Sequence, residues 1–110
     1  MGDLVQIGTQ SSVLPNSLVG DNVTIGNNAT VSPGASVGDG SQLGNGVSVG
    51  PNTDVGFDVT IGANTSIGPR VTIDDGVHIG SNVVIGAGAH ILAGAVIPDG
   101  AKIKAGAVVP

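Results

Sequence analysis

The sequence predicts an all-β solenoid, a chain wound into a three-walled prism of short parallel strands. Three observations predict it. A large aliphatic residue recurs at every sixth position without a slip, from Met1, Ile7 and Val13 through Leu43, Ile61 and Ile85 to Val109, which makes 18 complete hexads. The 20 glycines are phased: twelve follow that aliphatic by one residue, as at Gly8 and Gly26, and eight by three, as at Gly34 and Gly46. Aromatic side chains, which ordinarily fill a core at this length, are reduced to Phe57.

One hexad shows why the repeat reads as a strand and a corner. In Val23-Thr24-Ile25-Gly26-Asn27-Asn28, two apolar side chains flank a polar one, the alternation of a strand with one buried face. The position four after each aliphatic is small throughout, as at Val23, Ala29, Ser41 and Thr53. Gly26-Asn27-Asn28, the three residues after the aliphatic, are turn chemistry. The residue before each small position is Asn or Gly in 14 of 18 hexads, and Asp58 is a further case. Asn and Gly accept left-handed backbone angles at little cost. Each hexad is therefore expected to be a three-residue strand plus a corner.

A helix is excluded, because a period of six does not match 3.6 and Gly or Asn at every turn is costly there. Hairpins are disfavoured by strands this short. Short strands joined by like corners wind into a coil whose successive turns pair in parallel. Closure on three sides gives 18 residues per coil and six coils, a single domain over 1–110 with no excursion loops. At about 4.8 Å per coil, the prism is roughly 29 Å tall.

Composition narrows the partners. The net charge of −5 comes from eight Asp against Arg70, Lys102 and Lys104. Nucleic-acid binding needs clustered cations and is not expected. No apolar run approaches membrane-spanning length and no basic leader precedes one, so the expected location is cytoplasmic. The absence of Cys rules out disulfides and thiolate metal sites. Pro98, Lys102 and Lys104 near one end discourage strand addition at an open edge, whereas the first coil is the least regular, with Leu4, Leu14 and Leu18. Self-association, with a trimer favoured, is the expected partnership.

The unbroken pattern of aliphatic, Gly, any, Asn or Gly, small, any resembles the hexapeptide-repeat family. That resemblance spans the whole chain and implies a left-handed coil, whereas the general rule for parallel crossovers implies a right-handed one. It also implies acyl or acetyl transfer from acyl-CoA or acyl carrier protein, in trimers. The stretch 73–109, opening Ile73-Asp74-Asp75-Gly76-Val77-His78-Ile79-Gly80, is similar to the C-terminal coils that help hold a pantetheine arm in such enzymes. Their catalytic base is a histidine. In sugar-nucleotide O-acyltransferases it is the second of a His-Ile-Ala-His-like segment. Here His78-Ile79-Gly80-Ser81 places Ser81 at that position, and His90-Ile91-Leu92-Ala93 places Ala93 there.

Candidate site residues follow. His78 and His90 both stand at the outward position, five after the aliphatic, twelve residues apart and so on different walls. Asp74 and Asp54 are the carboxylates nearest His90, and neither is an evident orienting group. Each His reads by default as a solvated surface residue. Two His on separate walls do not make a zinc site, and Asp74-Asp75 is expected to face water rather than a divalent ion; no metal is expected. Ser12, Thr30, Ser48 and Ser66 fall in one column, but the next outward column lacks the second Thr row that ice binding requires. Phe57 is expected to plug a corner. Leu92 and Val108, beside His90, mark that wall as the expected subunit contact.

Two functions are therefore set against each other. The loop-free repeat points to a non-catalytic structural or scaffold module, or an idealised repeat, with no cofactor. The alternative is a minimal or truncated acyltransferase of the resembled family, binding acetyl-CoA or acyl carrier protein at a trimer interface, with His78 or His90 as base.

Overall fold

The computed structural model describes residues 2–110; Met1, the first of the predicted anchors, lies outside them. Strands recur every six residues from Gln6–Ile7 to Val108–Val109, and they assort into three six-stranded parallel sheets. The first wall stacks Gln6–Ile7, Thr24–Ile25, Gln42–Leu43, Thr60–Ile61, His78–Ile79 and Val96–Ile97. The second runs from Ser12–Val13 to Lys102–Ile103 and the third from Leu18–Val19 to Val108–Val109. Each residue faces the one 18 later: Ile25 sits opposite Leu43, and Leu43 opposite Ile61. The longest extent is 31 Å, close to the height that six sheet spacings give. No helix of the described residues is long and apolar enough to cross a membrane.

The strands are two residues long, not the three read from the sequence. The small residue that begins each hexad's apolar pair leaves the ladder on one side. Its carbonyl still accepts from the coil below, as Val23 does from Gln6 N–H at 2.9 Å. Its N–H does not join the ladder: in some hexads it turns into its own corner, as Ala35 donates to Ser32 at 3.2 Å and Ala95 to Leu92 at 3.1 Å, and in others it donates to a hydroxyl one coil below. The three-back bond closes a four-residue turn.

The turn is type II. Positive φ is confined to its third residue, at 77° for Gly34, 59° for Asn28 and 59° for Asn52, while the second residue keeps negative φ. This position has positive φ in every hexad, including the three without Asn, Asp or Gly: Leu4, Gln10 and Arg70. Those side chains pay a steric cost of about 1–2 kcal/mol each. The corner N–H at that position also bonds one coil down, as Gly46 does to Asn27 C=O at 2.8 Å.

The three corners differ in the turn's second residue, a distinction the six-residue reading did not resolve. At the first corner Asp21 Oδ1 accepts the Asp3 N–H and Asp39 Oδ1 the Asp21 N–H, both at 2.8 Å. At the second, Asn27 caps Thr9 and Asn45 caps Asn27 in the same way. The third carries Pro15, Pro33, Pro51 and Pro69, which have no N–H to cap and favour this place in a type II turn.

The interior is a stack of aliphatic ladders. Val31, Val49 and Ile91 are 0% exposed, and Ile25, Leu43 and Ile67 are 3%. Three buried hydroxyls, Ser41, Thr53 and Thr65, interrupt it without cost. Thr53 Oγ1 donates to Gly68 C=O at 2.8 Å and accepts from Val71 N–H at 3.3 Å, and the other two repeat the arrangement. No buried side-chain polar atom lacks a partner among the described residues.

The ladders open at the ends: Ile7 is 39% exposed. Glycine usually follows the aliphatic where another coil lies above, because a Cβ on Gly86 would sit 2.4 Å from Ala105 N. In the last coil this phase holds Pro98, Lys104 and Pro110. The two prolines have no N–H to donate to a strand above them.

Burial predicts a gradient. Ile61→Ala, 2% exposed in mid-stack, is expected to lower unfolding stability by about 3 kcal/mol, and Ile7→Ala by under about 1 kcal/mol, in urea titration. Equal losses would contradict the prism core. Arg70→Gly is expected to raise the thermal midpoint by a few degrees, since relief of the left-handed cost exceeds the added chain entropy of about 0.4–1 kcal/mol. A lower midpoint would show that the Arg70 side chain outweighs its backbone strain.

Candidate functional site

The strand phase sets which side chains reach the surface. The aliphatic of each strand points inward and the residue before it outward, while the residue after it opens the corner with its Cβ directed toward the coil above. His90 precedes Ile91 on the third wall and pairs with Thr72 one coil below. Asp74 lies two residues beyond Thr72, which makes it the diagonal neighbour of His90. Diagonal positions on adjacent strands are within reach of long side chains.

The structure realises that contact. His90 Nε2 lies 3.2 Å from Asp74 Oδ2, with the side chains 43% and 37% exposed. The sequence reading, which found no evident orienting carboxylate for His90, is corrected here. The separation of 16 residues, one coil less two, was the signal that identifies the pair. Half-exposed pairs contribute about 0–1 kcal/mol to stability, so the contact sets side-chain orientation more than it holds the fold.

The other expected residues separate. His78 lies on the first wall, paired in register with Thr60 below and Val96 above, and is exposed. His78 and His90 therefore do occupy different walls. Ser81 is tied into its corner, its N–H donating to Asp99 Oδ1 at 2.7 Å. Asp74 and Asp75 diverge: Asp75 Oδ1 accepts the Phe57 N–H at 2.9 Å while Asp74 faces His90. Among the described residues no group of three or more His, Asp or Glu converges as metal ligands do. Ser12, Thr30, Ser48 and Ser66 form the column expected on the second wall. Phe57 is 54% exposed, with its ring over Gly38 in the coil below.

The coils around His90 have the smoothest corners. Ala87-Gly88-Ala89 leads directly into His90, and Ala105-Gly106-Ala107 lies one coil above it, with the His90 N–H donating to Ala107 C=O at 2.8 Å. An added Cβ at Gly88, with Gly106 above it, would meet nothing within 4 Å, whereas one at Gly34 would strike Asn52 Oδ1 at 2.3 Å. Val108 stands above His90 in register and is 62% exposed, and Leu92 follows on the same wall.

Comparison with known proteins places this geometry. The model of bacterial transferase hexapeptide, six repeats, matches residues 1–33, 52–87 and 76–110, and that of the hexapeptide repeat of succinyl-transferase matches 18–51. A comparison with curated proteins finds no match. The acetyltransferase domain of PglB from Neisseria gonorrhoeae is similar at 29% identity and a TM-score of 0.89, over 91% of this chain and 49% of that one. Its complex with acetyl coenzyme A is similar at 27% identity and a TM-score of 0.86, over 91% of this chain and 51% of that one. This chain thus spans about half the length of those two. AntD, an N-acyltransferase from Bacillus cereus, shares the fold at 17% identity and a TM-score of 0.87, over 100% of this chain and 74% of that one. Mirror-image coils do not superpose, so these likenesses carry the hand. The rule for right-handed crossovers rests on twisted strands feeding helices, and two-residue strands turned by tight corners escape it. With the family's repeat models matched along its length, the chain belongs to the bacterial transferase hexapeptide family, and its prism is a left-handed parallel β-helix.

Proposed function

We propose that this chain is the β-helix of a hexapeptide acyltransferase that takes its acyl group from acetyl-CoA, with His90 as general base. The observation that supports this most is the pairing of His90 with Asp74 beside the open Ala-Gly-Ala corner at 87–89, within a fold similar to an acetyltransferase domain solved with acetyl coenzyme A. The corner at 87–89 suits an extended pantetheine arm, because no side chain of the coil above blocks it. It runs into His90, so a thioester held there lies near the imidazole. When bound, the donor supplies an activated acyl carbon. This chain's part is to hold the arm, exclude water along it and take the acceptor's proton.

The walls show no enclosed cavity among the described residues, and the cleft in this reading forms between copies. A side wall of a body measuring 31 × 21 × 19 Å covers on the order of 600 Å², enough for one partner's share of a stable interface. The wall with Leu92, His90 and Val108 is the proposed contact, in a trimer. The contrasting expectation of a non-catalytic scaffold rests only on the regular repeat. An acetyltransferase domain is similar over 91% of this chain, so the repeat alone does not separate the two.

Titration calorimetry with acetyl-CoA is expected to give a Kd between about 1 μM and 1 mM, the usual range for enzyme substrates. His90→Ala is expected to bind acetyl-CoA as before but to lose at least about 100-fold in thiol release. The amine acceptors for that assay are dTDP-4-amino-4,6-dideoxyglucose and GDP-perosamine, the sugars bound in two similar structures. No heat with millimolar acetyl-CoA, nor with acyl carrier protein, would restore the scaffold reading.

A further inference from the structure

We infer that the two edges of the third wall are complementary docking surfaces: the corner carrying Arg70 on one copy seats against the aspartate corner carrying Asp58 and Asp75 on a second copy. This rests on the subunit contact proposed above for the third wall, and not on acyl transfer. The winding of the chain segregates its charges. Six of the eight Asp, Asp58 and Asp75 among them, fall on the first corner, which follows the third wall. That corner carries no Lys or Arg. Arg70 stands on the third corner, which precedes the same wall, and Lys104 opens that corner two coils above. The segment Arg70-Val71-Thr72-Ile73-Asp74-Asp75 therefore crosses the wall from a cation to carboxylates.

Two features of Arg70 point outward from its own chain. The one ion pair among the described residues joins His90 to Asp74, so Arg70 meets no carboxylate of its own copy. Its backbone is strained, with φ of 58°, at a turn position where Asn52 below and Gly88 above sit at little cost. Strain held at one such position is a mark of function, and an exposed guanidinium is what this position presents.

Symmetry then decides how two such walls meet. Rotation about an axis parallel to the prism keeps heights and sets the third corner of one copy against the first corner of the next. Asp58 comes twelve residues before Arg70 and Asp75 five after it, so both lie within one coil of its height. A two-fold axis lying across the prism instead sets each corner on its own counterpart, carboxylates on carboxylates. Facing like charges cost affinity, so the segregation selects the first arrangement. Leu92 and the exposed Val108 supply apolar contact on the wall between, and the charged edges fix which way it docks.

Sedimentation equilibrium of the full chain reads the association constant. Native association is expected to weaken at least about tenfold between about 0.05 M and 1 M salt, because exposed charges are screened. At low salt, Arg70→Asp and Asp58→Arg are each expected to weaken it at least about tenfold. The two residues occupy equivalent turn positions, with φ of 58° and 56°, so the double variant exchanges them without a new backbone demand. It is expected to recover most of the loss. Arg70→Gly relieves the corner and is expected to weaken association while the dilute chain keeps or raises its thermal midpoint, which separates a lost contact from a lost fold. Native association that is indifferent to salt and to these variants, that tightens in Asp58→Arg, or that is not recovered in the double variant would overturn the inference and leave the wall contact standing. A native chain that stays monomeric at millimolar concentration would overturn both. Calorimetry with acetyl-CoA tests the acyl-transfer reading separately.

Discussion

Every corner of this prism turns on one residue with positive φ, and the rest of the structure follows from it. The type II turn spans four residues and leaves two for the strand, which fixes the period at six. Three such turns close a coil, so equivalent residues stack 18 apart. Only then do Ile25, Leu43 and Ile61 form a continuous ladder with 2–3% exposure. A single corner that opened would shift the following strand by a residue and turn its aliphatic toward water.

The register is held from several sides. Aliphatic ladders hold it from within. Asp and Asn carboxamide or carboxylate oxygens hold it at two corners by capping the N–H one coil away. Proline holds the third by removing the donor. Buried Thr53 and Thr65 add bonds that are satisfied only when the neighbouring coil is in phase. Because each device is local and repeats along the axis, stability here is close to a sum over neighbouring coils.

Much of the fold was legible because the sequence repeats its own geometry. The spacing of Ile and Val gave the walls, and Asn or Gly before each small residue marked the corners. Arg70, Gln10 and Leu4 were not readable as left-handed residues; their neighbours impose that conformation on them. The strand length was read one residue too long because a small apolar residue looks the same in a strand and at the end of a turn. The chemistry of the three corners required counting in eighteens, which places Pro15, Pro33, Pro51 and Pro69 in one column. The candidate site was half legible. His90 was visible as an outward residue, but its link to Asp74 depends on a diagonal between coils, which a count of residues in one strand does not show. A count of sixes does not tell Gly88 from Gly34; a count of eighteens does, since Gly106 stands over Gly88 and Asn52 over Gly34.

The corner itself offers the most direct measurement. Gly76 has φ of 72° and nothing within 4 Å of where a Cβ would stand, so a substitution there tests backbone conformation without crowding. Unfolding of Gly76→Asn and Gly76→Val by denaturant should separate the two. The account predicts a loss of under about 1 kcal/mol for Asn, which tolerates the left-handed region, and about 2 kcal/mol or more for β-branched Val. Equal stability of the two variants would mean that the left-handed corner does not govern the coil.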